Sequence, residues 1–192
     1  MRFGLLAALV PVLALGAGGR LVEGNPESPV RVLIFEDLQC PDCAAFRNLM
    51  DEKLLPKYGG TVAFEHRDFP LAKHAWARQA AVAARFFQEK SPELALKYRR
   101  ETMRSIKQTT PENFKDRLAA FAKAGGVDPA GALAALDDQR LDALVEKDFQ
   151  DGVARGVSHT PTAFVNGVPF VETITLEEIS KALDAALQGA AK

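Results

Sequence analysis

Phe35-Glu36-Asp37-Leu38-Gln39-Cys40-Pro41-Asp42-Cys43 joins two kinds of backbone. Before it, Val30-Arg31-Val32-Leu33-Ile34-Phe35 is β-branched and aromatic with almost no polar relief, the composition of a buried central strand. Within it, Cys40-Pro41 predicts a helix start, because proline fits the first helical position, where a missing N–H costs nothing. Phe46, Leu49, Met50 and Leu54 follow at helical spacing, and Pro56 with Gly59-Gly60 is expected to end that helix. Thr61 to His66 then alternates as a half-buried strand does. Strand, helix and strand in this order predict a βαβ unit with a parallel pair and a right-handed crossover.

The two cysteines are the only ones in the chain. At a helix N-terminus, unpaired N–H groups and the helix dipole stabilise a thiolate, so Cys40 is expected to be an accessible thiol of low pKa. Cys43 lies one helical turn inside, within bonding reach and more sheltered, as a resolving thiol should be. The alternatives are half of a zinc site or an inert buried pair. A zinc site usually brings a second Cys or His pair at short spacing, and His66, His74 and His159 offer none, so no metal is expected.

Outward from this centre, Leu71 to Gly156 reads as helical throughout. Ala72 to Glu89 is alanine-rich, with His74 and Trp76 read as residues of a helix face. Ser91-Pro92, Thr110-Pro111 and Asp128-Pro129 each place a capping residue before a proline, which predicts several short helices. Phe114, Leu118 and Phe121 form one apolar stripe before Gly125, and Leu141, Leu144, Val145 and Val153 another before Gly156, read as a C′ glycine. Thr162 to Val165 returns to strand composition, Asn166-Gly167 signals a tight hairpin, and Val168 to Val171 is the returning strand. Thr175 to Glu178 is a capping box opening a last helix with Ile179, Leu183 and Leu187 on its apolar face.

Met1-Arg2 followed by the uncharged run Phe3 to Gly18 has the form of a secretory leader, with small residues at 14–18 and cleavage expected between Gly16 and Gly24. An uncleaved membrane anchor is the alternative. Over all 192 residues, 47% are hydrophobic and 26% charged, with a net charge of −1. These values exclude a disordered chain and a polytopic membrane protein, and they give no basic field for nucleic acid.

The order β-α-β, helical block, β-β-α, with Cys-Pro-Asp-Cys after a buried strand and Thr160-Pro161 before a later one, resembles the DsbA-like branch of the thioredoxin superfamily. Phe35, Asp37, Cys40, Pro41 and Cys43 carry the match, and His66-Arg67-Asp68-Phe69-Pro70-Leu71 resembles the segment after that family's second strand. The resemblance implies an α/β thioredoxin-like fold with a mixed central sheet. The leader would occupy residues 1–23, the thioredoxin-like domain 24–70 and 157–192, and an inserted helical domain 71–156. It further implies a cis Pro161 against the disulfide, Cys40 as nucleophile, Cys43 as resolving thiol, and Thr160 offering backbone groups to an extended substrate. No cofactor is implied. The partners implied are cysteine-containing secreted proteins and a membrane redox partner for recycling, in a periplasmic or otherwise extracytoplasmic setting.

Three positions depart from the family pattern. Asp42 stands where strong oxidants carry His, and is expected to oppose the Cys40 thiolate. Ile34 replaces a buried acid, so Glu36 or Asp37 is either the proton relay for Cys43 or a solvated strand-end carboxylate. His159 replaces a Gly, and either faces the thiols or lies on the surface. The function expected is a thiol–disulfide oxidoreductase donating disulfides. A reductase or isomerase of the same fold, or a non-catalytic binding module, are the alternatives.

Overall fold

Val32, Ile34 and Phe35 are fully buried because their strand runs through the middle of a mixed five-stranded sheet. A computed structural model describes residues 19–190, so the expected leader lies outside the described residues except at its last few positions. There β1, Leu21–Gly24, forms an edge strand of the sheet. The remaining strands are β2 (Arg31–Glu36), β3 (Ala63–Asp68), β4 (Thr162–Val165) and β5 (Val168–Val171). Their spatial order is β1-β3-β2-β4-β5. β2 and β3 are parallel, with Ile34 beside His66, and the other pairs are antiparallel.

Alternation along β2 sends side chains to two different layers. Val32 and Ile34 pack with Phe46, Met50, Leu54, Ile179 and Leu183, which belong to α1 (Pro41–Leu49), a π-helical turn (Met50–Leu54) and, further on, the final helix. Phe35 packs on the other face with Phe69 and Val157, and with the partly buried Leu33, Phe149 and Phe164. Pro56 does not end the first helical segment as expected. It sits in the first turn of α2, Leu55–Tyr58, directly after the π-helical turn.

Between β3 and β4 run α3 (Ala77–Lys90), α4 (Pro92–Arg104), α5 (Phe114–Ala124), α6 (Pro129–Ala134) and α7 (Gln139–Ala154). Ser91 and Asp128 cap α4 and α6 through their side chains, as the sequence predicts. Thr110 does not cap α5. It exchanges hydrogen bonds with Asn113 instead, and the helix starts at Phe114. Gly156, at φ +81°, closes α7: its N–H donates to Val153 O at 3.0 Å and that of Val157 to Gly152 O at 2.9 Å, the Schellman pattern. Asn166 (φ 45°) and Gly167 (φ 90°) turn β4 into β5. Thr175 and Glu178 form the capping box of α8, Leu176–Ala190. No helix of the described residues is long and apolar enough to cross a membrane.

A chain of buried charges fastens the helical block to the sheet. His66 stands between Glu36 (2.8 Å) and Glu23 (3.0 Å). Arg99 of α4 joins Glu36 (2.9 Å) to Asp68 (2.8 Å). Arg85 of α3 joins Asp68 (2.6 Å) to Asp148 of α7. Arg47 of α1 holds Glu23 and, at 2.7 Å, Asp51. Every member of the chain except Asp51 is nearly inaccessible to solvent, so each charge depends on its partners.

Candidate active site

Cys40 is the N-cap of α1, with extended backbone (φ −85°, ψ 125°), and Pro41 opens the helix. The Ala44 N–H donates to Cys40 O at 3.1 Å, closing the first turn around Cys43. Both cysteines are free thiols. The Cys40 thiol donates to the Thr160 carbonyl at 3.3 Å, and the Asp37 N–H donates to Cys43 Sγ at 3.4 Å. Cys40 is only 4% exposed, against 1% for Cys43. This corrects the accessible thiol expected from sequence: Cys40 belongs to a packed cluster with Leu38 and Trp76, and Thr160 covers it from the loop before β4.

The two thiols are nevertheless electrostatically opposite. The Cys43 thiol hydrogen-bonds the Cys40 sulfur and outweighs burial; with Thr160 and the backbone N–H groups of Cys43 and Asp42, it brings the Cys40 pKa down to about 6. Burial, together with the Cys40 hydrogen bond and charge, pushes the Cys43 thiol well up. At neutral pH this arrangement holds one thiolate beside one thiol, which is what attack on a disulfide followed by intramolecular resolution requires.

The Thr160-Pro161 peptide is cis, as the resemblance implies. Thr160 is 3% exposed, and its hydroxyl has no hydrogen-bond partner among the described residues. When Cys40 ionises and no longer donates to the carbonyl, that hydroxyl is available to the sulfur.

Neither carboxylate before the cysteines is solvated. Burial pushes the Glu36 carboxyl up, but the His66 and Arg99 charges prevail and hold it at about 2. A carboxylate this firmly ionised is a poor proton acceptor for Cys43. Asp37 is a clamp: Oδ1 accepts from Gln39 N–H (2.7 Å), and Oδ2 from Leu71 N–H (2.7 Å) and pairs with His74 Nδ1 (2.8 Å). His74 and Trp76 are therefore not helix-face residues. They lie in the loop before α3, where the Trp76 N–H donates to Gln39 Oε1 at 2.7 Å. Gln39 and Trp76 are site-shaping residues that sequence reasoning missed, since this bond joins positions 37 residues apart.

Asp42 contributes its backbone N–H to the Cys40 thiolate, while its exposed side chain lines a cavity of about 240 Å³ with Phe46, Leu49, Glu172 and Ile174. Opposition from its carboxylate is not among the main influences on Cys40. His159 is exposed, with Nδ1 2.9 Å from Ser158 Oγ and Nε2 3.9 Å from Glu172; these contacts turn it to the surface.

Comparison with known proteins agrees with this geometry. The chain is 27% identical, over 90% of its length, to a Rickettsia prowazekii protein named as a candidate protein-disulfide oxidoreductase. It spans 63% of that relative's length. Disulfide bond formation protein D of Bacillus subtilis is 24% identical over 89% of this chain and 78% of its own. Among solved structures, α-DsbA1 of Wolbachia pipientis superposes with a TM-score of 0.79 at 18% identity, covering 90% of this chain and 92% of that one. The fold is therefore the thioredoxin-like fold of the DsbA structures. A family model described as thioredoxin matches residues 17–185, and the chain belongs to that thioredoxin family.

Proposed function

We propose that this chain is a protein thiol–disulfide oxidoreductase of DsbA type that works outside the cytoplasm and donates a Cys40–Cys43 disulfide to secreted proteins. The observation that carries this reading is the pairing of a Cys40 pKa of about 6 with a shut-in, high-pKa Cys43. In the oxidised protein, a substrate thiolate attacks the Cys40 sulfur, the disulfide breaks, and Cys43 leaves and takes up a proton. A second substrate thiolate then attacks the substrate sulfur of the mixed disulfide and releases Cys40 as a thiolate. The substrate gains a disulfide and the protein ends as a dithiol, two electrons richer.

Cys40 leaves readily because its thiolate is stabilised. Relative to an ordinary thiol, the lowered pKa favours the reduced form at pH 7 by about 1–2 kcal/mol, or roughly 20–40 mV in the oxidising direction. That supports donation over reduction. The backbone at Thr160, already against Cys40, is placed to pair with an extended substrate. The charged start and apolar run of residues 1–18 support export, and recycling then requires an oxidant such as a membrane redox partner.

The test mixes oxidised protein with a reduced, unfolded secreted protein such as ribonuclease. The reading expects one substrate disulfide for every two thiols appearing on this chain, with none in a Cys40→Ser variant. Absence of exchange, or stoichiometric zinc on the purified protein, would overturn it.

A further inference from the structure

A cavity of about 450 Å³ lies between α4 and α5, outside the thiol site. Its apolar wall is made by Tyr98, Phe114, Leu118 and Phe121. The Tyr98 ring packs on Phe121 (5.1 Å) and is 3% exposed, and its hydroxyl is closed off from solvent beside the Thr102 side chain. Burial pushes its pKa up, so it stays neutral.

Two guanidinium groups edge the opening. Arg104 is engaged by Asp51 at 3.3 Å. Arg117 lines the cavity and has no ion pair or side-chain hydrogen bond with any described residue. Glu101 is the one carboxylate of the lining, and Lys97 stands 3.8 Å from it. The lining hydroxyls of Ser105 and Thr109 already donate, to Thr102 O and Ser105 O respectively. What remains unanswered is one cation, Arg117, at the mouth of an apolar wall.

We propose that this cavity binds a small aromatic carboxylate, its ring against Phe114, Leu118 and Phe121 and its carboxylate on Arg117. The volume is that of a small-molecule site. A planar guanidinium matches a single carboxylate in two parallel bonds, while Glu101 at the same mouth disfavours polyanions. Phe114 stacks on Trp76 at 5.6 Å, and Trp76 in turn bonds Gln39 next to Cys40, so an occupant touches a residue two steps from the thiol site.

The test is calorimetric titration of the full chain with 1-naphthoate and with neutral 1-naphthylmethanol. Ala120→Trp fills the mouth from an exposed position of α5, and Arg117→Gln removes the cation; circular dichroism checks that both fold. One site per chain is expected in the wild type and none in Ala120→Trp. Arg117→Gln should weaken naphthoate about tenfold and leave the alcohol unchanged. No binding to the wild type, binding that survives Ala120→Trp, or equal loss of both probes in Arg117→Gln would overturn the assignment.

Discussion

The Cys40 thiol lies 3.3 Å from the carbonyl oxygen of Thr160, a residue 120 positions later in the chain. This contact joins the helix start that ionises the sulfur to the strand entry that covers it. It also brings the unpartnered Thr160 hydroxyl to the site where thiolate charge develops. Thr160→Val keeps the carbonyl and shape but removes the hydroxyl. Loss of one hydrogen bond to the charged form, about 1–2 kcal/mol, should raise the Cys40 pKa by about one unit and move the reduction potential roughly 30 mV in the reducing direction. Glutathione titration of both proteins measures this, and an unchanged potential would show that the hydroxyl does not reach the sulfur.

In the reduced protein at mildly acidic pH, iodoacetamide should modify Cys40 well before Cys43, because only Cys40 is ionised there. With Cys43→Ala, mixed disulfides through Cys40 should accumulate, since no thiol remains to resolve them. Peptide mapping after timed alkylation decides the order. Faster labelling of Cys43 would reverse the assignment.

Arg99 is the cation between Glu36 and Asp68, all three buried. Arg99→Leu leaves two carboxylates short of a partner and should cost about 3–5 kcal/mol in urea unfolding. Acid should act on the same bonds. Glu36 has a folded pKa of about 2 against 4.5 ordinarily, so its contribution is complete above pH 4.5 and is lost as pH falls from there towards 2. Glu36→Gln should flatten the stability profile across that window. An equally steep acid loss in the variant would place the sensitivity elsewhere.

Gly152, inside α7, has no room for a side chain: a Cβ there would lie 2.6 Å from the Phe69 ring and 3.0 Å from that of Phe35. Those rings are locked edge-to-face with each other, and Phe69 stacks on Phe149 at 4.5 Å. Gly152→Ala gains about 1 kcal/mol of helix propensity but meets overpacking of about 1–3 kcal/mol. Net destabilisation is expected in denaturant unfolding. A more stable variant would mean that α7 shifts freely on the sheet.

The parts of this fold legible in the sequence are those encoded locally. Cys40-Pro41, the apolar run of β2, Asn166-Gly167, the Thr175 capping box and Gly156 each state a local geometry that the structure keeps. The buried charge chain was not legible, because Glu23, Glu36, His66, Arg85, Arg99 and Asp148 pair across tens of residues and each reads singly as a surface charge. The run Glu65 to Asp68 therefore conceals how deeply β3 is buried, and β3 extends two residues beyond the predicted His66. β1 is not legible because it is short and follows closely on the uncharged run of residues 3–18. Asp37 was visible as a carboxylate beside the cysteines, but its clamp role depends on Leu71 and His74, which only the folded chain brings near.

Exchange depends on one thiolate, and the most direct measurement of it is the ultraviolet thiolate absorbance of the reduced protein as a function of pH, with Cys40→Ser and Cys43→Ala alongside. A midpoint at about 6 that disappears in Cys40→Ser is the predicted result. A midpoint near the ordinary thiol value of about 8.5, or one that survives the loss of Cys40, would contradict it.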